Sequence, residues 1–439
     1  MKRLMAAFGL ILFSGAGGAM EADIQEWTTE SGADVLFVER HELPIVDVRL
    51  TFDAGSARDG DRAGLARMTS NLLLEGTAAR SAGEIARGFE RYGARVSTGS
   101  GRDTADVSVR ALSEAERLDP VIEGLASTIA DAAFPEDAVE RVRQQMTLGL
   151  RQAESSASAQ AEKAFMRGIY GDHPYATPPG GTLASVEALS REAVVDFHRR
   201  HYTATNATVT IVGDLSRTRA EAIARALSEP LPGGEALPGL PEVTLPDTAE
   251  TIRVPMEAEQ THVIIGQPAV RKGSEAYYPL YLGNHILGGG GLTSVLAERM
   301  REERGLSYSS SSRLTSGARR GRFQMATQVR NDALGEALTV MRGSLDELRR
   351  EGPSAQRLSD SKRNITGSFP LQLDSNRDLL GYVATIGFHD LPRDYLQAFV
   401  ERIDTLSADD VQRALQTRLD PARNVTVLVG PEATIEAVE

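Results

Sequence analysis

Two strings of the same kind, NATVTIVG (Asn206–Gly213) and NVTVLVG (Asn424–Gly430), end on glycines 217 residues apart. Each follows a helix-like run and a short polar turn, HYTATNA in one case and RLDPARN in the other. Each is a short run of apolar residues and threonine of strand length, the pattern of a buried strand. Short buried strands also match by chance, so the pair gains force from what surrounds it. Pro230, Pro232, Pro238, Pro241 and Pro246 crowd the stretch between the copies, and the order of predicted elements recurs beyond them. Such self-similarity calls for two related halves, each about 200 residues and within ordinary domain size. We place the first half at residues 23–228, a linker or hinge at 229–248 and the second half at 249–439.

The local patterns fill in these halves. In the first, Asp34–Glu39 and Ile45–Asp53 read as strands, the latter with Val46, Val48 and Leu50 on one face and Asp47, Arg49 and Thr51 on the other. Leu65–Leu74 reads as a helix closed by Gly76. Ser81 and Glu84 form a capping box for a helix over Gly83–Tyr92. Ala94–Thr98 and Ala105–Ala111 follow as strands. Later, Ser190 opens a helix over Arg191–His201, and Ser216–Leu227 is another. Past the linker the plan repeats: strands at Thr251–Val254 and Thr261–Gln267, helices at Ala276–Leu287 and Leu292–Arg304, and strands at Tyr308–Ser316 and Arg322–Val329.

Composition removes several classes. The chain has no cysteine, so disulfides, thiolate nucleophiles, cysteine-ligated zinc and a lipidated cysteine are excluded. A net charge of -13 argues against nucleic acid or an anionic membrane as partner. Lys2, Arg3, the apolar run Ala6–Phe13 and the small residues up to Ala19 have the form of a secretory signal, cleaved after Ala19 or Ala22. Residues 1–22 are therefore expected to direct export, to the periplasm in a Gram-negative source. The run is too short for a spanning helix, and no stable membrane anchor is expected.

One stretch stands out chemically: LGGGGLTSVLAERMREERGLSY, Leu287–Tyr308. Gly288, Gly289, Gly290 and Gly291 lead into the helical run, and Gly305 is a natural stop, because glycine takes the left-handed cap without steric cost. Read locally, Arg301 is a helix-end cation favoured by the dipole, Tyr308 a sheet residue, and the glycines a loop. Read together, a cation and a phenol flank one tight turn and can address the same point. Elsewhere His198 and His201 (FHRRHY) have H-x-x-H spacing without a third ligand and read as a surface pair at a helix end. His173 in GDHPY reads as a turn residue.

Several segments now combine. PIVDVRLTFDAGSARDGDRAGLA (Pro44–Ala66), LLLEGT (Leu72–Thr77), YGDHPY (Tyr170–Tyr175), HYTATNATVTIVGD (His201–Asp214), ILGGGGLTSVLAERMREERGLSYS (Ile286–Ser309) and FPLQLDSNRDL with IGFHDLPRDYL (Phe369–Leu379, Ile386–Leu396) occur in order over essentially the whole mature chain. Together they resemble the pitrilysin/insulinase zinc peptidases, in the two-domain bacterial branch related to mitochondrial processing peptidase. The resemblance implies an α+β fold of two homologous α/β-sandwich halves, with mixed or antiparallel sheets, in chains that pair as clamshells around a chamber.

The resemblance also exposes what is missing. The family carries an inverted zinc motif, H-x-x-E-H, whose histidines share a helix face while the glutamate serves as base. Between GLA and LLLEGT this chain has Arg67, Met68, Thr69, Ser70 and Asn71. Both ligand positions, Arg67 and Asn71, lack imidazole, and Ser70 stands where the base would be, with no evident base of its own. The run Met146–Leu150 has no carboxylate where a distal glutamate belongs. No metal and no cofactor is expected in this chain. Arg301 and Tyr308, in contrast, match the family's arginine–tyrosine pair, which binds substrate backbone and the oxyanion. In two-subunit members one chain carries zinc and the other supplies this pair. The resemblance therefore implies a non-catalytic subunit, inactive alone, whose partner is a homologous zinc-bearing subunit and whose substrates are peptides. Gly288–Gly291 would admit an extended peptide backbone. The alternative is a pseudoenzyme scaffold or peptide-binding protein without a catalytic role.

Overall fold

A computed structural model describes residues 23–438; the expected signal segment, 1–22, lies outside the described residues. Eleven strands form two sheets. In the first half they are β1 (Gln25–Thr28), β2 (Asp34–Glu39), β3 (Ile45–Phe52), β4 (Arg95–Ser100), β5 (Ala105–Leu112) and β6 (Ala207–Gly213), in the spatial order β1-β2-β6-β3-β5-β4. In the second they are β7 (Glu250–Pro255), β8 (Gln260–Pro268), β9 (Ser310–Leu314), β10 (Arg322–Arg330) and β11 (Val425–Gly430), in the order β7-β11-β8-β10-β9.

The two matching strings are β6 and β11, and they hold the same place. β6 runs parallel to β2 and antiparallel to β3. β11 runs parallel to β7 and antiparallel to β8. Every residue of both strands is buried, as expected of a strand covered on both faces. β2, β6, β3, β5 and β4 thus correspond to β7, β11, β8, β10 and β9, and the repeat is one of topology as well as of sequence.

What joins the halves is an exchange of helices. The helix Ala157–Tyr170, from the first half, lies on β7, β8 and β11. The helix Asn376–Phe388, from the second, lies on β2, β3 and β6. Leu36, Val38 and Val212 therefore belong to the second half's hydrophobic core. Phe165, Met166 and Ile169 pack with Val425, Val427 and Val429. Each exchanged helix carries a glycine at its closest approach. A Cβ on Gly168 would lie 2.7 Å from Ile252 Cδ1, and one on Gly387 would lie 2.5 Å from Leu36 Cδ1.

The exchange explains why β3 is covered on both faces although its sequence alternates. Val46, Val48 and Leu50 enter the first core. Asp47 and Thr51, on the other face, are also buried. Asp47 is paired there by Arg110, which donates through Nε at 2.8 Å and Nη2 at 2.9 Å. A buried carboxylate needs such a bidentate partner.

The proline-rich stretch 229–248 has no helix or strand, as expected, but it is strapped down and not a free hinge. Leu240 and Val243 are buried in the core between the halves. Arg58 Nη1 donates to the Pro238 carbonyl at 2.7 Å, Arg319 Nε to that of Leu240 at 2.6 Å, and His173 Nε2 bonds that of Pro241 at 2.9 Å.

Two local expectations need correction. His198 and His201 are buried at 7% and 5% exposure, not a surface pair. The helix Arg191–His201 packs their rings inward, with His198 donating from Nε2 to the Ile129 carbonyl at 2.9 Å and stacking on Tyr202. The expected helix Leu292–Arg304 is broken into a 3₁₀ turn Gly291–Thr293, a short α turn Val295–Ala297 capped by Ser294, and a π turn Glu298–Glu302. Four glycines in the lead-in and no capping residue before Ser294 leave the first turns without support.

Candidate functional site

The helix Leu65–Leu72 follows β3 and packs across β4, β5 and the helix Glu136–Glu154. Its start is pinned by Asp59, whose carboxylate accepts from Gly64 N at 2.7 Å and from Ala66 N at 2.8 Å. These are two of the amides that a helix N-terminus leaves without partners. Asp59 is only 4% exposed, and burial pushes its carboxyl up to about 7 against the pull of the two amides.

On this helix Arg67, Ser70 and Asn71 share the face that four-residue spacing predicts. Arg67 is half-buried, and its Nε is enclosed without an acceptor. Ser70 is buried, and its Oγ has no partner among the described residues. Asn71 is exposed. Met146 and Leu150, from the neighbouring helix, pack as apolar groups against the first core. A divalent metal does not fit here. Guanidinium is a fixed cation with no lone pair to give, and the rest of the set is one hydroxyl and one amide. Among the described residues no group of three histidine, aspartate or glutamate side chains is placed to hold a metal ion.

The second candidate lies in the other half. Gly305 closes the π turn with φ +60° and donates to the Arg301 carbonyl at 3.1 Å. The chain then reverses, and Tyr308 lies just before β9 and not within it as expected. The guanidinium carbon of Arg301 stands 4.9 Å from the centre of the Tyr308 ring, so the turn does bring the two together as a cation–π pair. Tyr308 is 84% exposed, and Leu292, at the other end of the same segment, is 64% exposed. Arg301 makes no ion pair among the described residues. The pair is thus held together, with the phenol turned to solvent and the cation half-buried beside it.

The glycine run divides. A Cβ on Gly288 would lie 2.3 Å from Ser312 N in β9, one on Gly289 2.6 Å from Asn284 Nδ2, and one on Gly290 2.8 Å from the His285 carbonyl. Gly288 lets the chain pass against β9, and Gly289 and Gly290 let it fold back on Asn284 and His285. Gly291, exposed and with φ +66°, has open space around it. Arg67, Ser70 and Asn71 sit in the first half and Arg301, Tyr308 and Gly288–Gly291 in the second.

Asp103, in the β4–β5 loop, belongs to none of the sequence motifs. The structure makes it a fastener between the halves. It accepts from the buried Tyr175 hydroxyl and, at 3.0 Å, from Ala318 N, while Arg319 N donates to the same Tyr175 oxygen at 3.1 Å. Tyr175 belongs to GDHPY. His173 is indeed a turn residue there, accepting from Tyr175 N through Nδ1 at 3.0 Å. The motif itself was the available signal for Tyr175; nothing in the sequence pointed to Asp103.

The buried groups set a pH dependence. Burial holds His198 and His201 down at about 4, below the roughly 6.5 of a free histidine. The unfolded chain then binds more protons, and stability is lost as pH falls from 6.5 towards 4. Asp59, raised to about 7, acts in the opposite sense over the same window and gains stability as pH falls. Asp59→Asn is therefore expected to lose stability on acidification more steeply than the parent protein. Urea midpoints at pH 7 and pH 5 read this, and equal slopes would contradict it.

Comparison with known proteins places these features. Residues 34–182 match the model described as insulinase (peptidase family M16), and residues 188–365 match that of the peptidase M16 inactive domain. A solved structure of a peptidase M16 inactive domain from Pseudomonas fluorescens shares 35% identity, covers 93% of this chain and 98% of its own, and superposes with a TM-score of 0.90. A protease structure from Helicobacter pylori superposes at 0.86 with 20% identity, covering 94% and 100%. Among sequence relatives, the "non-peptidase homolog YmxG" of Helicobacter pylori is 23% identical over 94% of each chain, and the "uncharacterized zinc protease YmxG" of Bacillus subtilis 22% identical over 80% of this chain and 85% of its own. With both halves matched in order, and a third of its residues shared with a solved member across nearly its full length, the chain belongs to the M16, or insulinase, peptidase family, as a member without the metal ligands.

Proposed function

We propose that this chain is the zinc-free subunit of a heterodimeric, exported metalloendopeptidase. One observation supports the reading above the others: Arg301 stands against the solvent-exposed Tyr308 ring and makes no ion pair among the described residues, while the helix that should hold metal carries Arg67. The partner supplies the metal and the base. This chain supplies donors: the Arg301 guanidinium and the Tyr308 hydroxyl hydrogen-bond the carbonyl oxygen of the scissile bond as negative charge develops on it. The contact between them holds the cation beside the phenol, so little reorganisation is required when the substrate arrives. Gly291 leaves room beside them for an extended peptide.

Quenched fluorescent peptides, assayed with this chain, with a zinc-bearing relative from the same source and with the mixture, test the proposal. The expected result is cleavage in the mixture only, with zinc found in the partner by elemental analysis. A partner equally active alone would favour the scaffold reading. Metal-dependent cleavage by this chain alone would overturn both. Export is tested by locating the tagged chain in cell fractions, where a cytoplasmic protein would end that part of the proposal.

A further inference from the structure

A second site lies in the first half, beside the altered motif and separate from Arg301 and Tyr308. The helices Glu136–Glu154 and Ala157–Tyr170 and the loop 178–183 enclose a cavity of 250 Å³. Leu150, Ala153, Met166, Pro178 and Leu183 give it apolar walls. Its loop packs on the start of the helix Leu65–Leu72, since a Cβ on Gly181 would lie 2.5 Å from the Ala63 carbonyl.

Arg102 lines this cavity from the β4–β5 loop. Arg102 donates from Nη1 to the Tyr175 carbonyl and stands 5.3 Å from the centre of that ring. It has no carboxylate within ion-pair distance among the described residues. Its neighbour Asp103 is turned to Tyr175 and Ala318 instead. Of the other charges on the lining, Glu162 is taken by Arg322 at 2.5 Å, and Lys163 and Glu154 are exposed on the surrounding surface. Burial lowers the Arg102 pKa, as it does for a cation short of counter-charge. Its Nε and Nη2 donate to no group among the described residues and stay available to an acceptor that enters the cavity.

We infer that this cavity binds a carboxylate on an apolar body, with the carboxylate on Arg102 and the body against Leu150 and Met166. The volume falls just short of the roughly 300 Å³ at which drug-sized ligand sites begin, which suits a single amino-acid residue. The C-terminal residue of a peptide ending in leucine has that size and that charge. A free aliphatic acid has the same chemistry.

Calorimetric titration of the full chain separates these. The probes are N-acetyl-Ala-Leu as free acid, the same dipeptide as C-terminal amide, and 4-methylpentanoate. The free acid is expected to bind at least about 10-fold more tightly than the amide, the usual worth of a charge-assisted hydrogen bond. Arg102→Gln should remove that preference. Ala153→Phe should abolish binding of both forms by filling the cavity, and it tests the site even if Arg102→Gln fails to fold. Equal binding of acid and amide, or no heat from either at millimolar concentration, overturns the inference. If 4-methylpentanoate matches the peptide, the carboxylate assignment holds and the peptide source falls.

Discussion

Tyr308→Phe is expected to lower kcat of the reconstituted pair about 100- to 1000-fold with little change in KM. Loss of one oxyanion donor costs about that much elsewhere, because the donor acts on charge that exists only as the reaction proceeds. The substitution removes a single hydroxyl from a side chain that is 84% exposed, so folding should be untouched and the melting temperature unchanged. Arg301→Ala should cost a similar factor, and Arg301→Lys most of it. Lysine keeps the charge but not the forked donors of the guanidinium that stands 4.9 Å from the Tyr308 ring centre. Since both groups address one oxygen, the double variant should fall well short of the product of the two losses. The assay is steady-state cleavage of a quenched peptide by the mixed subunits. Full activity in Tyr308→Phe would remove this chain from the chemistry and leave it a scaffold.

Gly387→Leu is expected to destabilise the protein by about 3 kcal/mol or more, the upper range for overpacking a core. Even a Cβ there would lie 2.5 Å from Leu36 Cδ1 and 2.8 Å from Thr208 Cγ2. A whole leucine must lift the helix Asn376–Phe388 from the first sheet. Gly168→Leu should do the same at the other crossing, against Ile252 and Val425. Because each half covers a sheet face of the other, the parent protein should melt in one calorimetric transition, and each variant should shift that whole transition downward. Two separate transitions, only one of them moved by a given variant, would show that the exchanged helices do not couple the halves.

The Asp59 carboxylate offers a smaller test of local design. Asp59→Ala would leave Gly64 N and Ala66 N buried without an acceptor, at a cost of about 1–3 kcal/mol for each such group. Chemical denaturation should show the loss, and a neutral result would mean that water replaces the carboxylate.

Much of this was legible in the residues. The matching strands β6 and β11, the Ser81–Glu84 capping box, the helix Arg191–His201 and the Gly305 stop stand where local rules put them. Each is decided within a few residues, by backbone preference, a side-chain cap or a short run of apolar residues and threonine. So is the absence of metal ligands at Arg67, Ser70 and Asn71, since donor chemistry belongs to the side chain itself. The pairing of Arg301 with Tyr308 was also within reach, because one tight turn separates them. What the residues could not disclose depends on surfaces brought from far along the chain. Two helices change partners between halves, the proline-rich stretch is strapped down by Arg58 and Arg319, and His198 and His201 turn inward. Asp103 becomes a fastener, and Arg102 is left without a counter-ion above a cavity. Sequence determined the two-half plan and the donor set at Arg67, Ser70 and Asn71, because both are written in local side-chain identity. Tertiary structure alone decided which faces meet, because burial depends on the partner that a side chain finds and not on the residue by itself.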